Sequence, residues 1–253
     1  MAKHNCAICG AEVGLLAQQQ LADKTYICRK VCAKKCLKIF ELVPATLDQV
    51  KEHIAQVEFG TKVWNQIFVP LKGTKEKGAK LKGLGKYDAL VVSPSTGLVA
   101  ITQNDYKFFI FGKTTRACVY RVADLYVYDY ETEVSKDSEG KDVTKHFAHL
   151  VFNNTTGMFD FRLPIDSQRE FEEIEKYFNN LFGIQKTLRN SINNAKRQIN
   201  AIKAVAGAVK EVAADGAEKE AKGNAAIDAL NANIYGDRTE WIKKADAALA
   251  SVK

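Results

Sequence analysis

The cysteines constrain this chain more than any other feature. Of six in 253 residues, Cys6, Cys9, Cys28, Cys32 and Cys36 lie within the first 36 positions. Cys6-Ala7-Ile8-Cys9-Gly10 is a C-x2-C turn followed by glycine. The stretch Met1–Cys6 has no apolar core of a secretory signal. Apolar runs such as Phe108–Phe111 and Ala204–Val209 fall far short of the ~20 residues that span a bilayer. A cytoplasmic placement is expected. In that reducing compartment, paired cysteines at these spacings read as zinc ligands rather than disulfides.

Zinc takes four soft ligands in a tetrahedron, with Zn–S near 2.3 Å. Cys6 and Cys9 supply two thiolates. Lys24-Thr25-Tyr26-Ile27 is a short strand that delivers Cys28. The fourth ligand is Cys32 or Cys36, which share a face at i, i+4 of an incipient helix. Whichever is not a ligand serves as a small buried hydrophobe. Four cysteines close the site, so the one expected Zn2+ is structural rather than catalytic. Arg29, Lys34 and Lys35 are placed to balance its excess negative charge. Cys118, within Ala117-Cys118-Val119-Tyr120, reads as a buried structural thiol.

Residues 5–58 resemble a short zinc-ribbon-like domain of unknown function, found at the N-terminus of uncharacterised bacterial and phage proteins. The resemblance rests on Cys6-x-x-Cys9-Gly10, Gly14-Leu15-Leu16, Asp23-Lys24, Ile27-Cys28, Cys32-Ala33-Lys34-Lys35 and Thr46–Lys51. The chain departs from that pattern in three places. Lys24 stands where the family has glycine, Cys28 and Cys32 are one residue further apart, and Cys36 replaces leucine. The last departure implies ligation by Cys32 and packing by Cys36.

Beyond the cysteines, Thr46 and Gln49 form a capping box for a helix with Leu47, Val50, Ile54 and Val57 on one face. His53 is expected on its polar side. Residues 71–86 hold Lys72, Lys75, Lys77, Lys80, Lys82 and Lys86 with four glycines, which predicts a loop or linker. Those lysines are candidate contacts for phosphates or nucleic acid.

From residue 88 the period turns to β. Seven short antiparallel strands are expected, with turns at Pro94–Gly97, Asn104-Asp105, Gly112–Thr115 and Asn154–Gly157. A helix capped by Ser167 and Glu170 follows, presenting Phe171, Ile174, Phe178, Leu181 and Phe182. This plan resembles a pleckstrin-homology-like barrel closed by its C-terminal helix. Gly112-Lys113-Thr114 imitates the end of a phosphate loop, but position 107 is Lys where that motif needs Gly. His146 and His149, three apart in a strand, face opposite ways and do not share a metal.

Residues 184–253 contain 17 Ala and no Pro, with apolar 3-4 spacing from Leu188 to Ala213. This predicts a helical tail, either one long helix continuing the barrel's last helix or a hairpin packed on the barrel. A later helix is expected to be capped by Asp237 and Glu240. Homo-oligomerisation through 184–253 is the alternative to that packing.

The expected architecture is α+β: a zinc-ribbon module (1–59), a basic connection (60–87), the barrel (88–183) and the tail (184–253). Net charge is +7, with 15 basic and 7 acidic residues in 1–87, and the 88–183 segment is net acidic. That acidity disfavours a lipid-headgroup site and membrane contact. No acid–base–nucleophile set appears. The reading is a non-enzymatic adaptor for a protein partner, with nucleic-acid binding through the lysines as the rival and a membrane-surface adaptor as a second.

Overall fold

A computed structural model describes residues 3–74, 76, 78–86, 89–108, 111–153, 155, 157–183 and 238–253. Two short hairpins open the chain. β1 (His4–Asn5) pairs with β2 (Glu12–Val13), and β3 (Gln18–Gln20) with β4 (Tyr26–Cys28). A single helical turn, α1 (Cys32–Lys35), follows. Strands of two or three residues cannot hold themselves together. They pack instead around Cys6, Val13, Ile27, Cys28 and Cys32.

In the turn between β3 and β4, Asp23 accepts hydrogen bonds from the Thr25 amide and hydroxyl and from the Leu47 amide. These donors hold its carboxyl below the usual range, the Thr25 side chain contributing most. The next residue, Lys24, has φ +64°, the left-handed region that favours glycine. Glycine, which the resembled pattern has here, would adopt this conformation without strain. We expect Lys24→Gly to raise stability by about 0.5–1 kcal/mol in denaturant titration, strain relief exceeding the entropy that glycine adds to the unfolded chain.

α2 (Leu47–Val63) begins at the expected capping box: the Gln49 amide donates to Thr46 Oγ1, and the Thr46 amide donates to Gln49 Oε1 at 2.9 Å. The helix continues past residue 59 through a π turn, Trp64–Phe68, into α3 (Val69–Leu71). Val50 and Ile54 pack on the cysteine module, while Val57, Val63, Trp64 and Phe68 pack on the body. One helix is therefore common to both cores. Gly60 is the closest approach: a Cβ there would sit 2.3 Å from the Ala117 carbonyl oxygen.

The body contains two antiparallel sheets. The first is β5 (Lys82–Leu84), β6 (Leu90–Ser93), β7 (Leu98–Phe108) and β8 (Phe111–Arg121), in that order. The second is β11 (Asp160–Ile165), β10 (Asp142–Phe152) and β9 (Leu125–Lys136). Among the described residues no ladder joins the sheets, so the closed barrel expected from seven strands does not form. The chain leaves β8 through a 3-10 turn, Val122–Asp124, before β9 can pair with it. At the free edge of β8, the Ala117 amide donates to Thr61 Oγ1 of α2.

Among the described residues the segment from 88 holds six strands rather than the seven expected. Asn104 and Asp105 do not turn. They lie within β7, opposite Thr115 and Thr114. Cross-strand partners satisfy the side chains that otherwise favour turns: Asn104 Oδ1 accepts from Thr115 Oγ1, and Asp105 pairs with Arg116 at 2.7 Å. Two expected strands become one, and the pairing Phe108↔Phe111 displaces the hairpin from 112–115. The seventh strand, Lys82–Leu84, comes from the segment expected to be a loop. It pairs with Leu90–Val92 and buries Leu84.

Both faces of the first sheet are covered. Leu90, Val92, Val99, Ile101, Cys118 and Tyr120 face the second sheet. Val91, Leu98, Ala100 and Ala117 face the end of α2 and the last helix. This is why Leu90–Val92 reads as a continuous apolar run rather than an alternation. α4 (Gln168–Phe182) closes one end of the inter-sheet core with Phe171, Ile174 and Phe178. Ser167 caps it, its hydroxyl accepting from the Glu170 amide. Gly183, at φ +66°, ends it with a left-handed cap.

The 3-4 seam from Leu188 to Ala213 and the cap at Asp237 lie outside the described residues. α5 (Thr239–Ala250) lies on the first sheet, with Ala245 fully buried. A Cβ at Gly97 would come 2.7 Å from the Trp241 carbonyl. Arg121 pairs with Asp246 at 3.1 Å, and Arg238 stacks over Phe182 at 4.3 Å. No helix among the described residues is long and apolar enough to cross a membrane.

Candidate metal centre

The two hairpins and the first residue of α1 bring four thiols together. The Sγ atoms of Cys6, Cys9, Cys28 and Cys32 all lie within 4.8 Å of one another. Cys6 Sγ is 3.7 Å from Cys32 Sγ, and Cys9 Sγ is 3.8 Å from Cys28 Sγ. Tetrahedral bonds of about 2.3 Å place sulfurs about 3.8 Å apart. The donor set and its spacing therefore fit one metal ion, for which zinc is the typical choice. The sulfurs also accept backbone hydrogen bonds, from the Cys28 amide to Cys6 Sγ at 3.3 Å and from the Cys32 amide to Cys28 Sγ at 3.2 Å. Such amides stabilise thiolate charge.

The four sulfurs are not equivalent. Burial works against the Cys6 thiolate, but amides of Cys9, Ile8 and Cys28 overcome it and lower the pKa to about 6. Cys32 moves the other way: burial and hydrogen bonds within the cluster favour its thiol. Only Cys9 is exposed, so the centre sits just beneath the surface. Arg29 and Lys35 are engaged elsewhere, with Gln19 and with Glu58. The backbone amides, rather than those two side chains, offset the charge of the sulfurs.

Cys36 stands apart. α1 ends before it, and its backbone is extended (φ −71°, ψ 153°), so the shared helical face with Cys32 does not exist. Burial raises its thiol to about 11 against the opposing influence of Arg116. It packs as a small apolar side chain, as does Cys118, pushed up by burial to about 12.

The residues after the cluster fasten the module to the body. Arg116 donates to the Lys34 carbonyl and, at 2.9 Å, to the Cys36 carbonyl. The Lys38 amide donates to Gln103 Oε1 at 2.7 Å. His53, expected on a polar face, is fully buried. Its Nε2 accepts from the Leu37 amide at 3.2 Å, and its ring stacks on Phe40 at 4.2 Å. An unsatisfied amide behind the cysteines is the demand that the helical periodicity did not reveal.

Burial lowers the His53 pKa from 6.5 to about 4. The unfolded chain therefore binds the proton first, so stability is full above pH 6.5 and falls as pH drops towards 4. We expect a loss of about 1 kcal/mol between pH 7.5 and 5.5. His53→Gln, which keeps an acceptor for Leu37, should flatten that slope in denaturant titrations. An equal slope in the variant would assign the pH dependence elsewhere.

The candidate lysines do not form one patch. Lys72 and Lys80 line a cavity beside Trp64. Lys82 is exposed on β5, and Lys86 pairs with Asp166 at 2.8 Å. Lys75 and Lys77 lie outside the described residues. His146 and His149 take separate partners, Tyr130 and Asp160, as opposite faces require.

Comparison with curated proteins gives no match, and neither does comparison with solved structures. Residues 4–53, from the first strand into α2 and containing all four clustered cysteines, match the family model described as a domain of unknown function, DUF4428.

Proposed function

We propose that the chain is a non-enzymatic, zinc-binding interaction protein in which the cysteine module presents a docking surface for a protein partner. The metal's role is structural, because four thiolates leave no open coordination position. The observation that carries the reading is an apolar knob on the module. Leu16 is 90% exposed and Leu15 60%, beside the turn that carries exposed Val31. The Arg29 amide donates to the Ala17 carbonyl, which sets these two turns side by side. A cluster of exposed aliphatic side chains on a metal-fixed hairpin is costly in water and marks an interaction site. The body supports the same class of function. Its four-stranded and three-stranded sheets, followed by α4, suit a pleckstrin-homology-like domain, which would add a second surface.

A photo-crosslinking residue at position 16 tests this in cells. Discrete adducts are expected there and not from a probe at exposed position 139, and Cys9→Ser should abolish them. Identical patterns from the two positions would overturn the proposal.

A further inference from the structure

Three lysines from separate parts of the chain meet at one cavity on the outer face of the first sheet. Strand alternation places Lys113 and Asn104 on the same face as Ala117 and Ala100, the face that receives the end of α2. The helical segment through Lys72 forms one wall, and Lys80, just before β5, forms another. The volume of this open cavity is about 380 Å³. Among the described residues its lining contains no carboxylate. Among the described residues no ion pair involves Lys72, Lys80 or Lys113.

Lys72 is also held in place: its Nζ lies 4.5 Å from the Trp64 ring centroid, a cation–π contact. Three lysines lining one cavity with no described carboxylate beside them raise its local positive potential. Threonine and asparagine side chains add hydrogen-bonding groups, and Trp64, Leu71 and Val91 supply an apolar floor.

We infer that this cavity binds a small phosphorylated molecule, its phosphate held by Lys72, Lys80 and Lys113. Lys113 belongs to the Gly112-Lys113-Thr114 sequence that fails as a phosphate loop. It acts here from a strand, by charge and convergence rather than by a backbone cradle. The inference is independent of the metal centre.

Calorimetric titration of the full chain with inorganic pyrophosphate, at ionic strength fixed with chloride, tests it. Saturable one-to-one binding is expected. Lys72→Gln combined with Lys113→Gln should weaken it at least tenfold, while Lys82→Gln, outside the cavity, should leave it unchanged. All three side chains are exposed, so the variants should keep the parent's thermal midpoint. Non-saturable binding, or equal weakening by Lys82→Gln, would overturn the inference. So would sedimentation with phosphatidylglycerol vesicles lost in the double variant, because it would identify a membrane surface instead of a small molecule.

Discussion

Cys32→Ser should abolish zinc retention, whereas Cys36→Ser should leave one zinc per chain. The contrast follows from geometry. Cys32 completes a set of sulfurs at tetrahedral spacing, and Cys36 sits past the end of α1 with its carbonyl bound to Arg116. The stability effect should be the largest in the molecule. Structural zinc sites in small peptides contribute roughly 10–16 kcal/mol of apparent binding free energy. Here three of the four ligands are themselves part of the module's small core. Chelation should therefore melt residues 3–46, with rapid amide exchange across β1 to β4. The body should keep its own transition, because its inter-sheet core contains none of the clustered ligands. Native mass spectrometry reads the metal count and hydrogen exchange reads the melting. A Cys36→Ser chain that lost its zinc while Cys32→Ser retained it would overturn the ligand assignment.

Gly60→Ala should destabilise the protein by about 1–3 kcal/mol, against the sign that helix propensity predicts. Alanine gains about 1 kcal/mol over glycine in an exposed helix interior. At position 60 the added methyl meets the Ala117 carbonyl oxygen at 2.3 Å, with the Cys118 Cα at 3.0 Å. Both obstacles are backbone, so either α2 or β8 must move. Overpacking of this kind costs about 1–3 kcal/mol or more. The movement would also stretch the bond from the Ala117 amide to Thr61 and the grip of Gln56 on the Met158 backbone. Thermal unfolding measures the outcome. An unchanged or raised midpoint would mean that α2 is less closely seated than the geometry indicates.

What could be read in advance was local chemistry. The cysteine spacings and the two N-caps at Thr46 and Ser167 depend on residues near in sequence, and each is present in the structure. The features missed depend on partners far away. Asn104 and Asp105 have turn propensity, yet Thr115 and Arg116 satisfy them in a strand. His53 faces the polar side of a helical wheel, yet the Leu37 amide needs an acceptor there. The extension of α2 beyond residue 59 was masked because Gly60 lowers helix propensity while serving close packing. Lys113 was considered only as part of a linear motif. Its company with Lys72 and Lys80 comes from strand alternation and the return of the helix across the sheet.

The stacking of Arg238 over Phe182 has a topological consequence. Arg238 also donates to the Ala123 and Leu125 carbonyls, so the chain re-enters the body where it left. Phe182 and Arg238, the described residues flanking 184–237, are thus already joined by the fold. Closing such a gap with a short flexible bridge carries little entropic cost, since the ends need no further bringing together. The flanks of 184–237 can therefore be bridged without moving either one, on a scaffold whose first sheet is already held between α5 and the second sheet.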